Sequence, residues 1–145
     1  MNNNRKIFNL YIIEHHVFTL SVIVSGRPHS APVFYAFDDI DETLIFMSDP
    51  GTIHSRAITK THFCSGAIYD SVRNVQQIKG LQFSGTVKPL TSSERKDKEA
   101  IYIKKFPEAE NLPGTLYVFH IEWMKMTDNS VSFGFKREWG NDPFS

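Results

Sequence analysis

Residues 17 to 24 read VFTLSVIV, a run of β-branched and aromatic side chains with a period of two. Phe18, Leu20 and Val22 fall on one side of such a run, while Thr19 and Ser21 fall on the other. This alternation is typical of a β-strand that buries one face. Similar runs recur between turn-forming residues, so the sequence predicts further strands over His29–Phe37, Thr43–Met47, His62–Tyr69, Gly80–Leu90 and Leu116–Met126, with a final segment over Val131–Trp139.

Short helical patterns separate some of these strands. Asn2–Asn4 can cap a helix over Arg5–His15, and Thr52–Lys60 reads as a second helix. Thr91 and Glu94 fit a capping box that opens a third, highly charged helix. Strands joined mostly by hairpins, with a few short helices, define an α+β protein that is mainly β. Closing the strands into a small barrel would remove exposed edges, although strand order alone does not establish closure.

The balance of charges narrows the range of partners. The chain has 145 residues, which suits a single domain over residues 1–145, and it carries 16 basic and 16 acidic side chains. A net charge of zero gives no bulk field to recruit nucleic acid or an anionic membrane. No apolar run approaches the roughly 20 residues of a spanning helix, and the first residues do not read as a secretory signal. A single cysteine, Cys64, allows no internal disulfide and fits the reducing cytoplasm.

The stretch FMSDPGTIHSRA, residues 46–57, joins a predicted strand to a predicted helix. The start of a helix offers unpaired backbone N–H groups and a partial positive charge, so it can bind a phosphate. Ser48 and Thr52 lie on either side of the turn, and a protonated His54 or the nearby Arg56 would add positive charge. In the alternative interpretation Thr52 only caps the helix, Ser48 ends the strand, and the basic side chains are solvated.

The C-terminal stretch WMKMTDNSVSFGFKREW, residues 123–139, combines flat aromatic rings with cations. This combination suits a flavin, which needs stacking surfaces and donors near its pyrimidine oxygens. It equally suits a final hairpin with Asp128 and Asn129 at its turn, which is the simpler interpretation of these residues taken alone. The aromatic and cationic residues are Trp123, Phe133, Phe135, Trp139, Lys125, Lys136 and Arg137.

Other kinds of site find little support in the sequence. His15 and His16 are adjacent and point to different sides of any regular element, and the remaining histidines have no chelating spacing, so no zinc site is predicted. The chain has no nucleophile elbow and no P-loop. Cys64 lies in a predicted buried strand and reads as a core residue rather than a reactive thiol. No residue is therefore assigned a catalytic role.

Four stretches, in their order and spacing, resemble the flavin-binding split barrels of the pyridoxamine 5'-phosphate oxidase-like superfamily. They read APVFYAFDD, LIFMSDPGTIHSRA, IKGLQFSGTVKPL and MKMTDNSVSFGFKREW. The last is the most specific, since the small YhbP-like branch of the superfamily ends in a similar TDN…FG.K…W pattern. The resemblance covers nearly the whole chain. It implies a six-stranded antiparallel split β-barrel with short flanking helices, and a homodimer with two FMN sites at its interface.

In proteins of this kind the turn after the third strand holds the FMN phosphate through a T-x-x-x-S-R-K motif. The matching positions here are Ser48, Thr52, Ile53 and His54. The hydroxyls match in kind, but Ile53 and His54 replace two cations, which removes much of the charge-assisted grip on a phosphate dianion. The resemblance therefore implies FMN binding that is weak, dependent on pH or absent.

The resemblance also implies further cofactor contacts. The second strand would offer backbone groups to the isoalloxazine ring, a polar residue of the fifth strand would lie near the flavin, and the C-terminal hairpin would reach over from the partner subunit. The arginine-rich substrate signature of true pyridoxamine-phosphate oxidases is missing, so synthesis of pyridoxal 5'-phosphate is not expected. The residues concerned are Val33, Phe34, Tyr35, Gln82, Phe133 and Lys136.

These observations lead to one main hypothesis and two alternatives. The main hypothesis is a homodimeric, FMN-dependent oxidoreductase that acts on a small-molecule substrate or electron donor. The first alternative is a protein on the same scaffold that holds a flavin or haem without turnover. The second is a small barrel that stacks nucleic-acid bases on Phe34 and Tyr35, which the zero net charge disfavours.

Overall fold

In the computed structural model, which describes residues 3–145, the antiparallel strands form one continuous sheet. Each strand forms where apolar residues share one phase, and in β1 it is Phe18, Leu20 and Val22 that are buried. The strands are β1 Val17–Val24, β2 Arg27–Asp38, β3 Thr43–Ser48, β4 Phe63–Tyr69, β5 Lys79–Pro89, β6 Thr115–Asp128 and β7 Lys136–Gly140.

The sheet closes on itself. Its order is β3-β2-β1-β4-β5-β6-β7, and an additional pairing between β3 and β6 joins the first strand of this order to the sixth. The result is a ring of six strands, with β7 added to β6 outside the ring. The predicted α+β, mainly β, six-stranded split barrel is confirmed, and so is the closure that strand order alone left open.

Three α-helices flank the ring in the described part of the chain. Thr91 and Glu94 form the predicted capping box at the start of the third helix, where the Thr91 N–H donates to Glu94 Oε1 at 3.3 Å. The predicted helix ends are correct to within one or two residues, while Asn2 of the predicted first cap lies outside the described residues. The helices are α1 Asn4–Glu14, α2 Ile53–Lys60 and α3 Ser92–Lys105, and short 3-10 segments cover Val75–Gln77 and Pro107–Ala109.

The predicted final segment over Val131–Trp139 is extended only from Lys136 onward. The residues before it form the turn of a hairpin, in which the Asp128 N–H donates to the Phe135 carbonyl at 2.9 Å. The Gly134 N–H donates to Asn129 Oδ1 at 2.9 Å within the same turn. The hairpin interpretation of the tail, with Asp128 and Asn129 at its turn, is therefore confirmed.

Aromatic rings fill the inside of the ring of strands. Phe18 lies within 6 Å of Phe46, Phe83 and Phe119, mostly in edge-to-face contact, and all four side chains are buried. Gly66 on β4 makes this packing possible, because a Cβ there would lie 2.3 Å from the Phe83 ring. These rings therefore form part of the hydrophobic core of the barrel.

Gly85 marks an irregularity between β5 and β6, as its position in the sequence suggests. The register shifts between Ser84 and Gly85, and a Cβ on Gly85 would lie 1.8 Å from the His120 carbonyl oxygen. The shift leaves Glu122 of β6 without a partner on β5, since Ser84 pairs with Trp123 and Gly85 with Ile121.

The outer surface of three neighbouring strands is uncharged. Along β1, β4 and the first half of β2, none of the described outward positions carries an acidic or basic side chain. A solvated face of an antiparallel sheet is normally polar, and loss of charge is typical of the centre of an interface. We call this surface the uncharged face; its residues are Val17, Thr19, Ser21, Ile23, Pro28, Ser30, Pro32, Phe34, Phe63, Ser65, Ala67 and Tyr69.

No helix between residues 3 and 145 has the length and apolar content needed to cross a bilayer.

Candidate functional site

The junction between β3 and α2 is the candidate phosphate site. Thr52 is the N-cap of α2, with φ −68° and ψ 158°, and its Oγ1 accepts the Ser55 N–H at 3.2 Å. The same hydroxyl donates to the Asp49 carbonyl at 3.0 Å. Thr52 therefore caps the helix and Ser48 ends the strand, as the simpler interpretation of the stretch requires. The same arrangement fixes the Ser48 hydroxyl on one side of the turn and the Thr52 hydroxyl on the other.

His54 joins the two hydroxyls. Its Nε2 lies 2.7 Å from Ser48 Oγ and 3.3 Å from Thr52 Oγ1, and the two oxygens are 3.4 Å apart. The His54 side chain is only 8% exposed. This burial, together with the neighbouring His29, lowers the pKa of His54. At neutral pH the imidazole is therefore uncharged, and the junction offers neutral donors in place of the cations of the related motif.

Two backbone N–H groups remain at the start of α2. Ile53 and His54 occupy the first two helical positions, which have no intrahelical acceptor. No acidic residue stands in the first turn of α2 to occupy them. The nearest acidic side chain in the loop, Asp49, accepts the Gly51 N–H at 2.7 Å. The start of α2 can therefore bind an anion through amides and hydroxyls.

The edge of β2 runs close to this junction. Pairing between β2 and β3 stops at Tyr35 and Phe46, so the part of β2 up to Phe34 pairs only with β1. The backbone groups along its other edge are available, as a strand beside an isoalloxazine requires. The side chains of Val33 and Tyr35 point into the barrel, where Tyr35 Oη donates to the Ile12 carbonyl at 2.5 Å.

Phe34 points the other way and is exposed, with its ring in edge contact with Phe106 at 5.9 Å between centroids. Of the three predicted contacts on β2, only Phe34 can therefore present its side chain to a ligand. Strict alternation along β2 already carries this information, because Val33 and Tyr35 share a phase with the buried side of the strand.

The other predicted cofactor residues lie elsewhere in the chain. Ser48 pairs with Thr115 at one end of β6, whereas Lys136 pairs with Thr127 at the other end. Within one chain the structure therefore brings Ser48, Thr52 and His54 together, but not Phe133 and Lys136. Phe133 is exposed in the hairpin turn, and Lys136 Nζ donates to the Gly134 carbonyl at 3.1 Å.

Gln82 is exposed on the outward side of β5, between Ala67 of β4 and Lys125 of β6. It lies beside the uncharged face, not beside the junction of its own chain. Sequence reasoning missed His29, which acts on the pKa of His54. The available signal was the phase of His29, which matches that of the inward-pointing Val33 on β2.

Solved structures share this fold. A haem-binding protein from Mycobacterium smegmatis superposes with a TM-score of 0.81 and 12% identity, covering 97% of this chain and 59% of that protein. A protein of the pyridoxinephosphate oxidase family from Clostridium acetobutylicum gives a TM-score of 0.72 and 14% identity over 100% of both chains. An FAD-binding protein from Mesorhizobium loti gives 0.68 and 17% identity, covering 87% and 92%. The fold is thus the pyridoxamine phosphate oxidase-like split barrel.

Sequence relatives give a narrower grouping. A UPF0306 protein of Photorhabdus laumondii is 30% identical over 136 residues, which cover 94% of this chain and 95% of the relative. The UPF0306 protein YhbP of Salmonella paratyphi A is 29% identical over 132 residues, covering 91% and 90%. No protein-family profile matches the chain. The chain belongs to the UPF0306 family.

Proposed function

We propose that this protein is a homodimeric FMN-binding oxidoreductase that is not a pyridoxamine-phosphate oxidase. The observation that carries the proposal is the composition of the start of α2. Two hydroxyls lie there beside two backbone N–H groups that have no intrahelical acceptor, and no acidic side chain stands in the first turn. Helix starts of this composition suit the terminal phosphate of a mononucleotide. Solved structures with the same fold include an FAD-binding protein, a haem-binding protein and a member of the pyridoxinephosphate oxidase family, which supports the proposal that this fold binds a cofactor here.

The phosphate would be held by neutral donors. Ser48 and Thr52 would donate hydroxyl hydrogens, and the amides of Ile53 and His54 would donate from the helix. Thr52 would have to exchange its bond to the Asp49 carbonyl for one to the ligand. Hydrogen bonds to a charged group contribute about 1.5–3 kcal/mol each, but Ile53 and His54 lack the charge that the two cations of the related motif supply. We therefore expect FMN to bind in the micromolar range and to be lost in part during purification.

The second subunit would complete the site. The uncharged face would be buried against a second copy. Burial of its apolar side chains is favourable, and no charged group on it would have to lose its water. Gln82, Phe133 and Lys136, which lie far from Ser48 within one chain, would approach the flavin from the partner. This arrangement agrees with the exposure of all three side chains.

The flavin supplies hydride or electron transfer when it is bound, and the protein supplies orientation, access and electrostatics. The free edge of β2 would hold the ring edge through backbone groups, and Phe34 would shield one side. The substrate or electron donor is a small molecule, and we place the reaction in the cytoplasm because the lone Cys64 is a free, buried thiol.

The test compares FMN with riboflavin, which has the same ring but no phosphate. The absorbance spectrum of freshly purified protein is recorded first, and both flavins are then titrated into wild type and Thr52→Ala. We expect Thr52→Ala to weaken FMN about tenfold, the loss of one charge-assisted hydrogen bond, and to leave riboflavin unchanged. Thr59→Ala, at the exposed end of the same helix, is the matched control.

Equal loss for both flavins would move the phosphate to another part of the chain. A protein that stays monomeric at micromolar concentration would remove the partner's contribution. Bleaching by a nicotinamide donor with return of colour in air would support turnover.

A second candidate function is the holding of a flavin or haem without turnover. The loss of the two motif cations, replaced here by Ile53 and His54, favours it, and so does the fold shared with a haem-binding protein. Haem would need an axial ligand, and His54 would have to exchange its contact with Ser48 Oγ to serve, whereas His120 is exposed. The pKa of both histidines is lowered, mainly by burial. Haem titration of wild type, His54→Ala and His120→Ala, followed by the Soret band, separates this candidate from the first.

A further inference from the structure

A cavity of about 410 Å³ lies between helix α2 and the hairpin that joins β1 to β2. Val24 and Ser25 line it from the hairpin, and residues of α2 line the opposite wall. We call it the hairpin cavity. Its volume falls within the range of about 300–1,000 Å³ typical of small-molecule sites. Of the uncharged face only Ile23 lines it, so a second copy bound to that face need not cover the wall formed by α2.

The wall formed by α2 carries two positive charges, on Arg56 and Lys60. Four residues separate them, so they share one face of the helix, where like charges repel. Both side chains are exposed, and neither makes a hydrogen bond or ion pair within the described residues. No acidic side chain between residues 3 and 145 lines the cavity. An anion in the hairpin cavity would therefore meet two unpaired cations and no repulsion.

The hairpin cavity adjoins the phosphate site at the start of α2. Ile53 belongs to both, because its backbone N–H has no intrahelical acceptor and the residue also lines the cavity. Arg56 follows the cap Thr52 by one helical turn, which is about 6 Å along the axis. A group attached to a phosphate at the start of α2 would therefore reach Arg56 first and Lys60 one turn later.

The charge of the first phosphate links the two sites. The phosphate of FMN is a monoester, which carries about −1.5 to −2 charges at pH 7. A phosphate that is joined to a second one carries a single charge, because its other acidic oxygen is esterified. The start of α2 offers only neutral hydroxyls and amides, since Ile53 and His54 replace the two cations of the related motif. Neutral donors suit the single charge better than the dianion, and the free cations lie where a second phosphate would follow.

Apolar side chains complete the lining. Ile23 is 51% exposed and Ile53 is 44% exposed, although both border the cavity. Exposed β-branched side chains beside a recess are costly in water, and a flat base lying on them would cover both. Cations beside an apolar surface are the combination that a nucleotide requires, with its phosphate on the cations and its base on the apolar side chains.

We propose that the flavin of this protein is a dinucleotide, with its first phosphate at the start of α2 and its adenylate half in the hairpin cavity. Arg56 would hold the second phosphate, Lys60 would add a second charge, and the base would lie on Ile23 and Ile53. This inference rests on the proposed function, because the first phosphate occupies the site assigned to FMN. It adds that Arg56 and Lys60 make the protein prefer FAD to FMN.

Calorimetric titrations with FAD, FMN and riboflavin test the proposal. In wild type we expect FAD to bind about tenfold more tightly than FMN, the gain from two exposed ion pairs and a covered base. In the double variant Arg56→Gln with Lys60→Gln, FAD should bind no more tightly than FMN, while the ratio of FMN to riboflavin affinity stays as in wild type. Arg73→Gln with Lys96→Gln removes two exposed cations elsewhere and should leave the preference for FAD unchanged.

A variant with an added acid tests the position of the adenylate half. Thr59 lines the hairpin cavity and is exposed, so Thr59→Glu places a carboxylate beside the expected second phosphate without disturbing the core. We expect it to weaken FAD about fivefold and to leave FMN unchanged, whereas the neutral Thr59→Gln should bind both as wild type does. Circular dichroism and the melting temperature show whether each variant keeps the fold.

Three results would overturn the proposal. FAD that binds wild type no more tightly than FMN would leave the hairpin cavity without a ligand, and so would a preference for FAD that survives in the folded Arg56→Gln, Lys60→Gln variant. Equal loss of the preference in the Arg73→Gln, Lys96→Gln control would attribute it to net charge. FMN binding that depends on Thr52 without a preference for FAD would remove this inference and keep the proposed function, whereas a failure of every flavin to bind would remove both.

Discussion

Helices α2 and α3 both begin at a threonine that follows a strand, yet their first turns are built differently. In α3 the cap Thr91 is followed by Glu94, whose carboxylate accepts the Thr91 N–H and lies within the field of the helix start. Hydrogen bonds from Thr91 lower the pKa of Glu94, so this carboxylate stays ionised. In α2 the cap Thr52 is followed by no acidic residue. The positive end of α3 is therefore neutralised by its own chain, and that of α2 is not.

The difference also concerns burial. The start of α3 is exposed, whereas His54 and Ser55 in the first turn of α2 are buried. A helix start that is both buried and without an acid leaves a site for an anion from outside the chain. A capping threonine alone therefore does not make an anion site; the residue three places later decides whether the helix start is open.

The largest effect is expected when α2 is made to resemble α3. Ile53→Glu places a carboxylate in the first turn of α2, at a side chain that is 44% exposed and can accept the change. We expect FMN affinity to fall about 100-fold through repulsion of the phosphate, as measured by fluorescence titration. Melting temperature should rise slightly, because an acid stabilises a helix start.

Ile53→Gln is the neutral control for that variant, and it should bind FMN nearly as wild type does. If Ile53→Glu and Ile53→Gln bound FMN equally, the phosphate would not lie at the start of α2.

Addition of a cation should have the opposite effect. Ile53→Arg restores one of the two charges of the related phosphate motif, and a bidentate guanidinium is well suited to phosphate. We expect FMN to bind about tenfold more tightly, with riboflavin unchanged, in the same titration. Lys60→Arg, which alters a cation at the far end of α2, is the control. Equal tightening of both flavins would contradict the account.

A smaller effect is expected from pH. Since the pKa of His54 is lowered in the folded chain, its contribution to stability is complete above about pH 6.5 and is lost as the pH falls through the lowered value. A bound phosphate favours the protonated imidazole, so FMN affinity should rise roughly threefold between pH 8 and pH 6.5. Titrations in His54→Gln should show no such rise. A flat profile in wild type would exclude His54 as a neighbour of the phosphate.

The smallest effect concerns the helix caps themselves. Thr52→Ala should lower the free energy of unfolding by about 1 kcal/mol, the usual cost of a lost cap, and Thr91→Ala should cost no more than this. Urea denaturation measures both. Only Thr52→Ala should weaken FMN. A loss of FMN binding in both variants would attribute the effect to general destabilisation.

Most of the fold could be predicted from local patterns. The alternation of apolar and polar side chains predicted β1 to β6, and the capping residues Thr52 and Thr91 predicted where two helices begin. These signals depend only on near neighbours along the chain. Local patterns could not predict closure, since the β1–β4 and β3–β6 pairings join strands that are distant in sequence; only the family resemblance implied it. The uncharged face was visible only after those pairings placed β2, β1 and β4 side by side.

The candidate site was predictable in composition but not in electrostatics. The residue types of Ser48, Thr52 and His54 suggested a phosphate site, and the structure brings the three together. The sequence could not show that His54 is buried, and burial is the main cause of its lowered pKa.

Phosphate binding at the start of α2 is tested most directly by a proton–nitrogen correlation spectrum of the labelled protein, recorded during titration with FMN, riboflavin and inorganic phosphate. We expect the amide resonances of Ile53 and His54 to move with FMN and with phosphate but little with riboflavin, while those of Ser93 and Glu94 at the start of α3 stay in place. Amide shifts that leave Ile53 and His54 unchanged, or that are the same for FMN and riboflavin, would contradict it.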